Sequence, residues 1–126
     1  MFVQLIQYNN IGLFILRLAV AAIFIYHSLP KLKNAKAMAQ AIGMSTNSIF
    51  VLGLVELLAS IGLILGFYTQ LSALLLAIVM AGAIWFKTMK WKVPFAAMDK
   101  TGWEFDLILL AANIVILFGG GGSIGI

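Results

Sequence analysis

Two charged side chains lie within apolar stretches of this sequence and are its first candidates for chemistry. Arg17 occurs in FILRLAVAAIFIYHSL and Glu56 in VLGLVELLASIGLIL. A charge in a membrane span is costly, so such a residue usually faces the interior of a helix bundle and has a partner. Because these two have opposite sign on consecutive stretches, we predict that they pair. The pair would be either a clip that holds two helices in register or the polar part of a ligand cavity. A third interpretation is that one of them snorkels to lipid headgroups.

A second polar cluster is predicted near one end of the bundle. His27 lies one turn before the end of the first apolar stretch, and Trp103, Glu104 and Asp106 open the last one. At the helical period, Glu104 and Asp106 point in nearly opposite directions, so only one can face the bundle. Asp106 shares its face with Asn113. The alternatives are helix capping and interfacial solvation for the two acids, and a packed, hydrogen-bonded role for His27.

The sequence lacks the residues that several classes of chemistry require. The sequence has no cysteine, which excludes thiol–disulfide exchange, thiolate metal ligation and cysteine-bound iron–sulfur clusters within this chain. One histidine provides no pair of haem ligands, and the H-E-x-x-H spacing is absent. We therefore predict no metal site. No nucleophile–base pair, Rossmann fingerprint or Walker motif is present, and no catalytic residue is assigned.

Composition identifies the elements that must position these side chains. Hydrophobic residues make up 63% of the 126 residues and charged residues 10%, against about 25% charged in a typical soluble domain. We predict one domain over residues 1–126, an all-α integral membrane bundle of four transmembrane helices. A short interfacial helix, residues 35–42, should lie between the first two and end at Gly43. The predicted spans are residues 11–29, ended by Pro30, and residues 48–67, 71–86 and 103–118.

The lysines predict the orientation of the bundle. The two long loops fall on one side, and by the positive-inside rule that side is cytoplasmic and both termini lie outside a multi-pass cell-membrane protein. Acidic partners or anionic lipids are the alternative use of these lysines, and nucleic acid is not expected. Ala73, Ala77 and Ala81 form a small-residue stripe for packing within the bundle, with homo-oligomerisation as the alternative. The loop lysines are Lys31, Lys33, Lys36, Lys87, Lys90, Lys92 and Lys100.

The sequence resembles the DoxX family of membrane proteins over nearly its whole length. The strongest similarity is in LRLAVAAIFIYHSLPKL and GLVELLASIGLILGFYTQLSALLLAIVMAGAIWF, and WEFDLILLAANIVILFGGGG resembles the family's last span. Ser28 stands where the family usually has glycine, and Gln70 where a basic residue often follows the threonine. The family pattern has Arg, His and Lys in the first segment, Glu in the second and then a Gly-x-x-Thr turn. In this sequence these positions hold Arg17, His27, Lys31, Glu56, Gly66 and Thr69.

The resemblance implies a function as well as a four-span fold. The family takes its name from a small subunit associated with archaeal quinol or thiosulfate:quinone oxidoreduction. It implies a redox-linked accessory subunit that binds a quinone or another isoprenoid lipid without covalent attachment, near Arg17, His27, Glu56 and Glu104. An oxidoreductase partner would supply the redox centre, since the chain is not expected to be a catalyst on its own. The alternative is a non-enzymatic helper that assembles or carries another membrane protein.

Overall fold

The computed structural model describes residues 2–96, 102–120 and 122, which are helical and contain no strand within those ranges. The chain starts with a 3₁₀ turn, Val3–Tyr8, and a π-helical turn, Phe86–Lys90, extends the fourth α-helix. The α-helices are α1 (Asn9–Lys33), α2 (Ala35–Ile42), α3 (Thr46–Leu65), α4 (Thr69–Trp85) and α5 (Trp103–Gly119).

Glycines end three of the helices. Gly43, Gly66 and Gly120 follow α2, α3 and α5 with φ of 76°, 72° and 73°, the left-handed conformation that glycine adopts without a Cβ clash. Ser45 caps the start of α3, where its side-chain oxygen accepts a hydrogen bond from the Ser48 amide. The short helix predicted between the first two spans is present with the predicted bounds.

Two helices run further than the sequence predicts. Pro30 does not end α1, which continues for another turn to Lys33 and closes with a hydrogen bond from the Asn34 amide to the Pro30 carbonyl. Proline removes one backbone donor and its ring crowds the preceding turn, so this last turn depends on packing, which Lys31 and Leu32 provide against Gly53. The fourth helix likewise continues past Phe86 through the π-helical turn, so Lys87 is helical rather than part of a loop.

The packing forms a ring of four long helices. α1 packs chiefly against α3 and α4 chiefly against α5, while α3–α4 and α1–α5 contacts complete the ring and α2 lies on α3. The small-residue stripe is used within the chain, because Ala73 and Ala77 are buried and Ala81 is exposed. The buried core contains Val20, Ala21, Phe24, Ala59, Leu63, Ala73, Leu76, Met80, Leu109 and Ile116.

The distribution of polarity is that of a protein surrounded by lipid. The buried residues include Arg17, Glu56, Asp106 and Asn113, whereas many Leu, Ile, Val and Phe side chains are exposed. Among the described residues, three helical segments are long and apolar enough to cross a membrane, and about a third or less of each is buried within the chain. α5 has 17 residues, about 25 Å of helix. The three segments are Val3–Lys33, Thr46–Leu65 and Thr69–Lys90.

Candidate functional site

The two ends of the bundle differ in their residues, and we call them the lysine end and the turn end. The lysine end carries Lys31 and Lys87. The turn end carries the α3–α4 turn around Gly66 and the end of α5 at Gly119. A cavity of about 460 Å³ lies at the lysine end, between α1, α3, α4 and α5, with α2 and the π-helical turn also in its wall. Most of the lining is aliphatic, aromatic or Met, and the titratable side chains in it are His27, Lys31, Glu56, Lys87 and Asp106.

An ion pair between Lys31 and Glu56 forms one wall of the cavity. The Glu56 side chain is only 1% exposed, and the Lys31 side chain is 19% exposed. Gly53 makes this pair possible, since a Cβ on Gly53 would lie 2.8 Å from the Lys31 Cβ. The absence of a side chain at Gly53 therefore lets the last turn of α1 approach α3 closely, one turn away from Glu56.

A second ion pair forms another part of the wall. The Lys87 ammonium lies 2.8 Å from the Asp106 carboxylate, and their side chains are 14% and 6% exposed. Lys87 reaches this position because the helix continues past Phe86. Asp106 lies in the first turn of α5, where the positive end of the helix dipole favours a carboxylate. As the helical period requires, Asp106 and Asn113 are buried while Glu104 is exposed.

His27 is the remaining titratable group in the cavity. It lies one turn before Lys31 on α1, and its ring packs against the Phe105 ring of α5 at a centroid distance of 5.3 Å and against Tyr26 at 5.4 Å. The cavity thus combines an apolar interior with an imidazole, two ammonium groups and two carboxylates. Pockets of this kind bind small amphipathic molecules, whose apolar part fills the space and whose few polar atoms are oriented by hydrogen bonds.

Arg17 lies away from this cavity and does not pair with Glu56. At the turn end, its Nε donates to the Leu63 carbonyl at 2.8 Å and its Nη2 to the Ile64 carbonyl at 3.4 Å. These are carbonyls of the last turn of α3, which lack helical partners and attract a cation. Leu63 is seven residues beyond Glu56, about 10 Å along the helix. The expected pairing is wrong because the register of α1 against α3 places Gly53 beside Lys31, in the turn of α1 that follows Pro30.

The other predicted residues lie outside the cavity. Glu104 is exposed, and Trp103 packs against the Phe95 ring at a centroid distance of 4.6 Å. Asn113 is buried two turns from Asp106 toward the turn end, and its side-chain amide donates to the Leu109 carbonyl. Of the eight predicted residues, the cavity therefore brings together His27, Lys31, Glu56 and Asp106.

Lys87 is the one titratable residue of the cavity that was not predicted as a site residue, since the sequence places it only in a cytoplasmic loop. A signal was present in the sequence. Ala73, Leu76 and Met80 form the buried stripe of α4, and Lys87 continues this stripe seven residues after Met80. Extending the helical period beyond Phe86 would have placed Lys87 toward the bundle interior. The aromatic and Met part of the lining, which includes Phe105, had no comparable signal because it depends on how α2 and α5 pack.

Comparison with known proteins identifies the family of this chain. The DoxX family model matches residues 12–89. This chain belongs to the DoxX family. The match contains His27, Lys31, Glu56 and Lys87, whereas Asp106 lies beyond it. This DoxX protein is also 31% identical over 108 residues to a Bacillus subtilis (strain 168) protein named "Putative oxidoreductase CatD", covering 83% of this chain and 76% of that protein. No solved structure matches the chain.

Proposed function

We propose that this DoxX protein is a redox-linked accessory membrane subunit that holds the headgroup of a quinone, or of a similar isoprenoid lipid, in the lysine-end cavity. The observation that carries the proposal is the cavity itself, an apolar space in a membrane protein with His27, Lys31 and Lys87 in its wall. The name of the Bacillus relative, which contains the word oxidoreductase, supports a redox context.

The residues fit the chemistry of a quinone headgroup. Quinone carbonyl oxygens accept hydrogen bonds, and the His27 imidazole and the two lysine ammonium groups are donors. The flat ring can pack against aromatic side chains of the lining such as Phe105 and Trp91. The Glu56 and Asp106 carboxylates hold the lysines in place, so the donors are positioned before the ligand arrives. Electron transfer would rest on a partner oxidoreductase that supplies the redox centre.

The proposal includes the way in which the chain crosses the membrane. We propose that α5 spans the bilayer as a fourth helix, because 17 residues is the lower limit of the length that about 30 Å of hydrocarbon requires. The positive-inside rule then places the lysine end at the cytoplasmic face. A reporter fused after Ile126 should register as outside the cytoplasm and one inserted near Asn34 as inside. The reverse pattern would contradict the orientation. If the start of α1 and the end of α5 lie on opposite sides of the membrane, the chain does not cross it four times.

A quinone titration of the purified protein tests the headgroup site. Trp91 lines the cavity, so saturable quenching of its fluorescence reports occupancy, and a Trp91→Phe variant should lose most of that signal. His27→Phe should weaken binding about fivefold, the equivalent of one hydrogen bond of about 1 kcal/mol. A thermal melt of the same variant should be nearly unchanged.

The result also separates this proposal from its alternative. A non-enzymatic helper predicts no saturable quenching in the wild-type protein and no specific effect of His27→Phe. If His27→Phe melts early and loses binding in proportion, His27 is a packing residue and the headgroup site is wrong.

A further inference from the structure

The lysine-end cavity borders a second space on the outside of the bundle. A groove of about 520 Å³ lies between α3 and α4, and Met44, Leu52, Ile78 and Val79 line both the groove and the cavity. The same few side chains therefore form the boundary between the interior cavity and the outer surface of these two helices. Ile78 is 60% exposed, which places it at the outer edge of that boundary.

The groove follows from how α3 and α4 meet. At the turn end, the two helices are held closely together, because a Cβ on Gly62 would lie 2.5 Å from the Ser72 hydroxyl oxygen. Toward the lysine end, the groove opens between them and is lined by further aliphatic side chains, Val51, Val55 and Leu75. Val55 is nine residues from the start of α3 at Thr46, so the groove reaches roughly 13 Å along that helix.

Both helices are long and apolar enough to cross a membrane, so this groove faces acyl chains. Apart from Asn47 and Ser48 at the start of α3, the groove is lined by Met and aliphatic side chains, which match an isoprenoid chain in polarity. The cavity of about 460 Å³ lies near the lower end of the roughly 300–1,000 Å³ of ligand pockets, enough for a ring headgroup but not for several isoprene units as well. A long-tailed ligand in the cavity therefore needs an exit for its tail.

We propose that the shared wall at Leu52, Ile78 and Val79 opens as a lateral portal, through which a single isoprenoid tail leaves the cavity and lies in the α3–α4 groove. This rests on the proposed function, since it takes the headgroup to be in the cavity. It identifies the ligand class as a membrane-dissolved lipid with one long apolar tail, which enters from the bilayer. The tail exchanges lipid contacts for equally apolar protein contacts, so it adds little affinity of its own.

The test compares the binding of two quinones to the protein in nanodiscs, one with a single isoprene unit and one with at least four. Because both dissolve in the bilayer, their concentrations are expressed as moles of quinone per mole of lipid. Ile78→Trp places a bulky side chain in the portal. Its control is Ile108→Trp on α5, because Ile108 is 64% exposed and lines neither the cavity nor the groove. Ile78→Trp should weaken binding of the long-tailed quinone at least about tenfold, as overpacking typically does. Because Ile78 also borders the headgroup cavity, the short-tailed quinone should lose some affinity too, but clearly less than the long-tailed one, and the control should change neither.

Each other outcome contradicts a definite part of the account. If Ile78→Trp leaves both quinones bound as in the wild type, or weakens both equally, the portal is wrong while the headgroup site stands. If the wild-type protein binds neither quinone, the proposed function fails and the portal fails with it. A loss confined to the long-tailed quinone in both tryptophan variants would show a general effect of added bulk and would also overturn the portal.

Discussion

The two ends of the bundle satisfy their buried charges in different ways. At the turn end, Arg17 is bound by backbone carbonyls at the end of α3, next to closely packed core residues such as Leu63. At the lysine end, Glu56 and Asp106 are bound by lysine side chains, and both pairs line a cavity. A cation bound by carbonyls completes a helix terminus, whereas two ion pairs at an open space can exchange partners with a ligand.

This difference distinguishes a structural charge from a candidate binding charge. Both kinds look alike in the sequence, since each is an ionisable residue in an apolar stretch. The surroundings separate them. Changes at the turn end should affect stability alone, and changes at the lysine end should affect ligand binding as well.

The largest expected effect is the loss of one partner from the Lys31–Glu56 pair. Lys31→Leu leaves the buried Glu56 carboxylate unpaired and should lower the unfolding free energy by about 3–5 kcal/mol. The double change Lys31→Leu with Glu56→Leu should recover much of that loss. SDS titration in detergent micelles measures both. Lys33→Leu is the control, because Lys33 is exposed on the same turn of α1 and should change stability by less than about 0.5 kcal/mol. Simple additivity of the Lys31 and Glu56 losses would show that the pair is not coupled.

At the turn end, Arg17→Leu should lower the unfolding free energy by about 1.5–3 kcal/mol, the value of hydrogen bonds from a charged donor. Quinone affinity of the folded variant should stay within about twofold of the wild type. The losses from Arg17→Leu and Glu56→Leu should add, because distant sites behave independently. Coupling between these two residues, or loss of binding in a folded Arg17→Leu variant, would remove the distinction between the two ends.

A smaller effect should come from the contact that positions Lys31. Gly53→Ala adds a methyl group 2.8 Å from the Lys31 Cβ and should destabilise the bundle by about 1–3 kcal/mol through overpacking. Gly12→Ala is the matched change, since nothing lies within 4 Å of a Cβ at Gly12. It should be neutral or stabilising by up to about 1 kcal/mol, because alanine is the better helix former. Equal thermal melts for the two variants would show that close α1–α3 approach at Gly53 is unimportant.

The smallest effect on stability is expected at Gly82, which lines the cavity with nothing within 4 Å of a Cβ. Gly82→Leu should change the unfolding free energy by no more than about 1 kcal/mol. Because its side chain enters space that a headgroup would use, it should weaken quinone binding at least about tenfold by overpacking the occupied cavity. Gly12→Leu should match it in stability and leave binding intact. Equal binding by both variants would place the ligand elsewhere.

The sequence predicts the helices better than the contacts between them. The short helix Ala35–Ile42 and the buried face shared by Asp106 and Asn113 follow from local signals, namely a glycine after a helical run and the period of 3.6 residues. The Arg17–Glu56 pairing is wrong because it depends on the register between α1 and α3. Pro30 signals a helix end, but α1 continues to Lys33, and Lys31 in that last turn takes the place beside Glu56 that was expected for Arg17.

Lys87 shows a related limit. Its charge at the end of an apolar stretch predicts a loop, whereas the chain stays helical through the π-helical turn after Trp85 and Lys87 reaches Asp106. The cavity depends on the register of α1 against α3, on the register of α4 and its π-helical turn against α5, and on the position of α2. Four of its titratable residues could therefore be named from the sequence, whereas their grouping around one space required the packed structure.

An experimental structure of the protein with a bound quinone would show directly where the headgroup lies. We expect headgroup density in the lysine-end cavity, with a quinone oxygen within hydrogen-bond distance of the His27 imidazole or of one of the two lysine ammonium groups. Headgroup density beside Arg17 at the turn end, or only on the outer surface of the helices, would contradict this expectation.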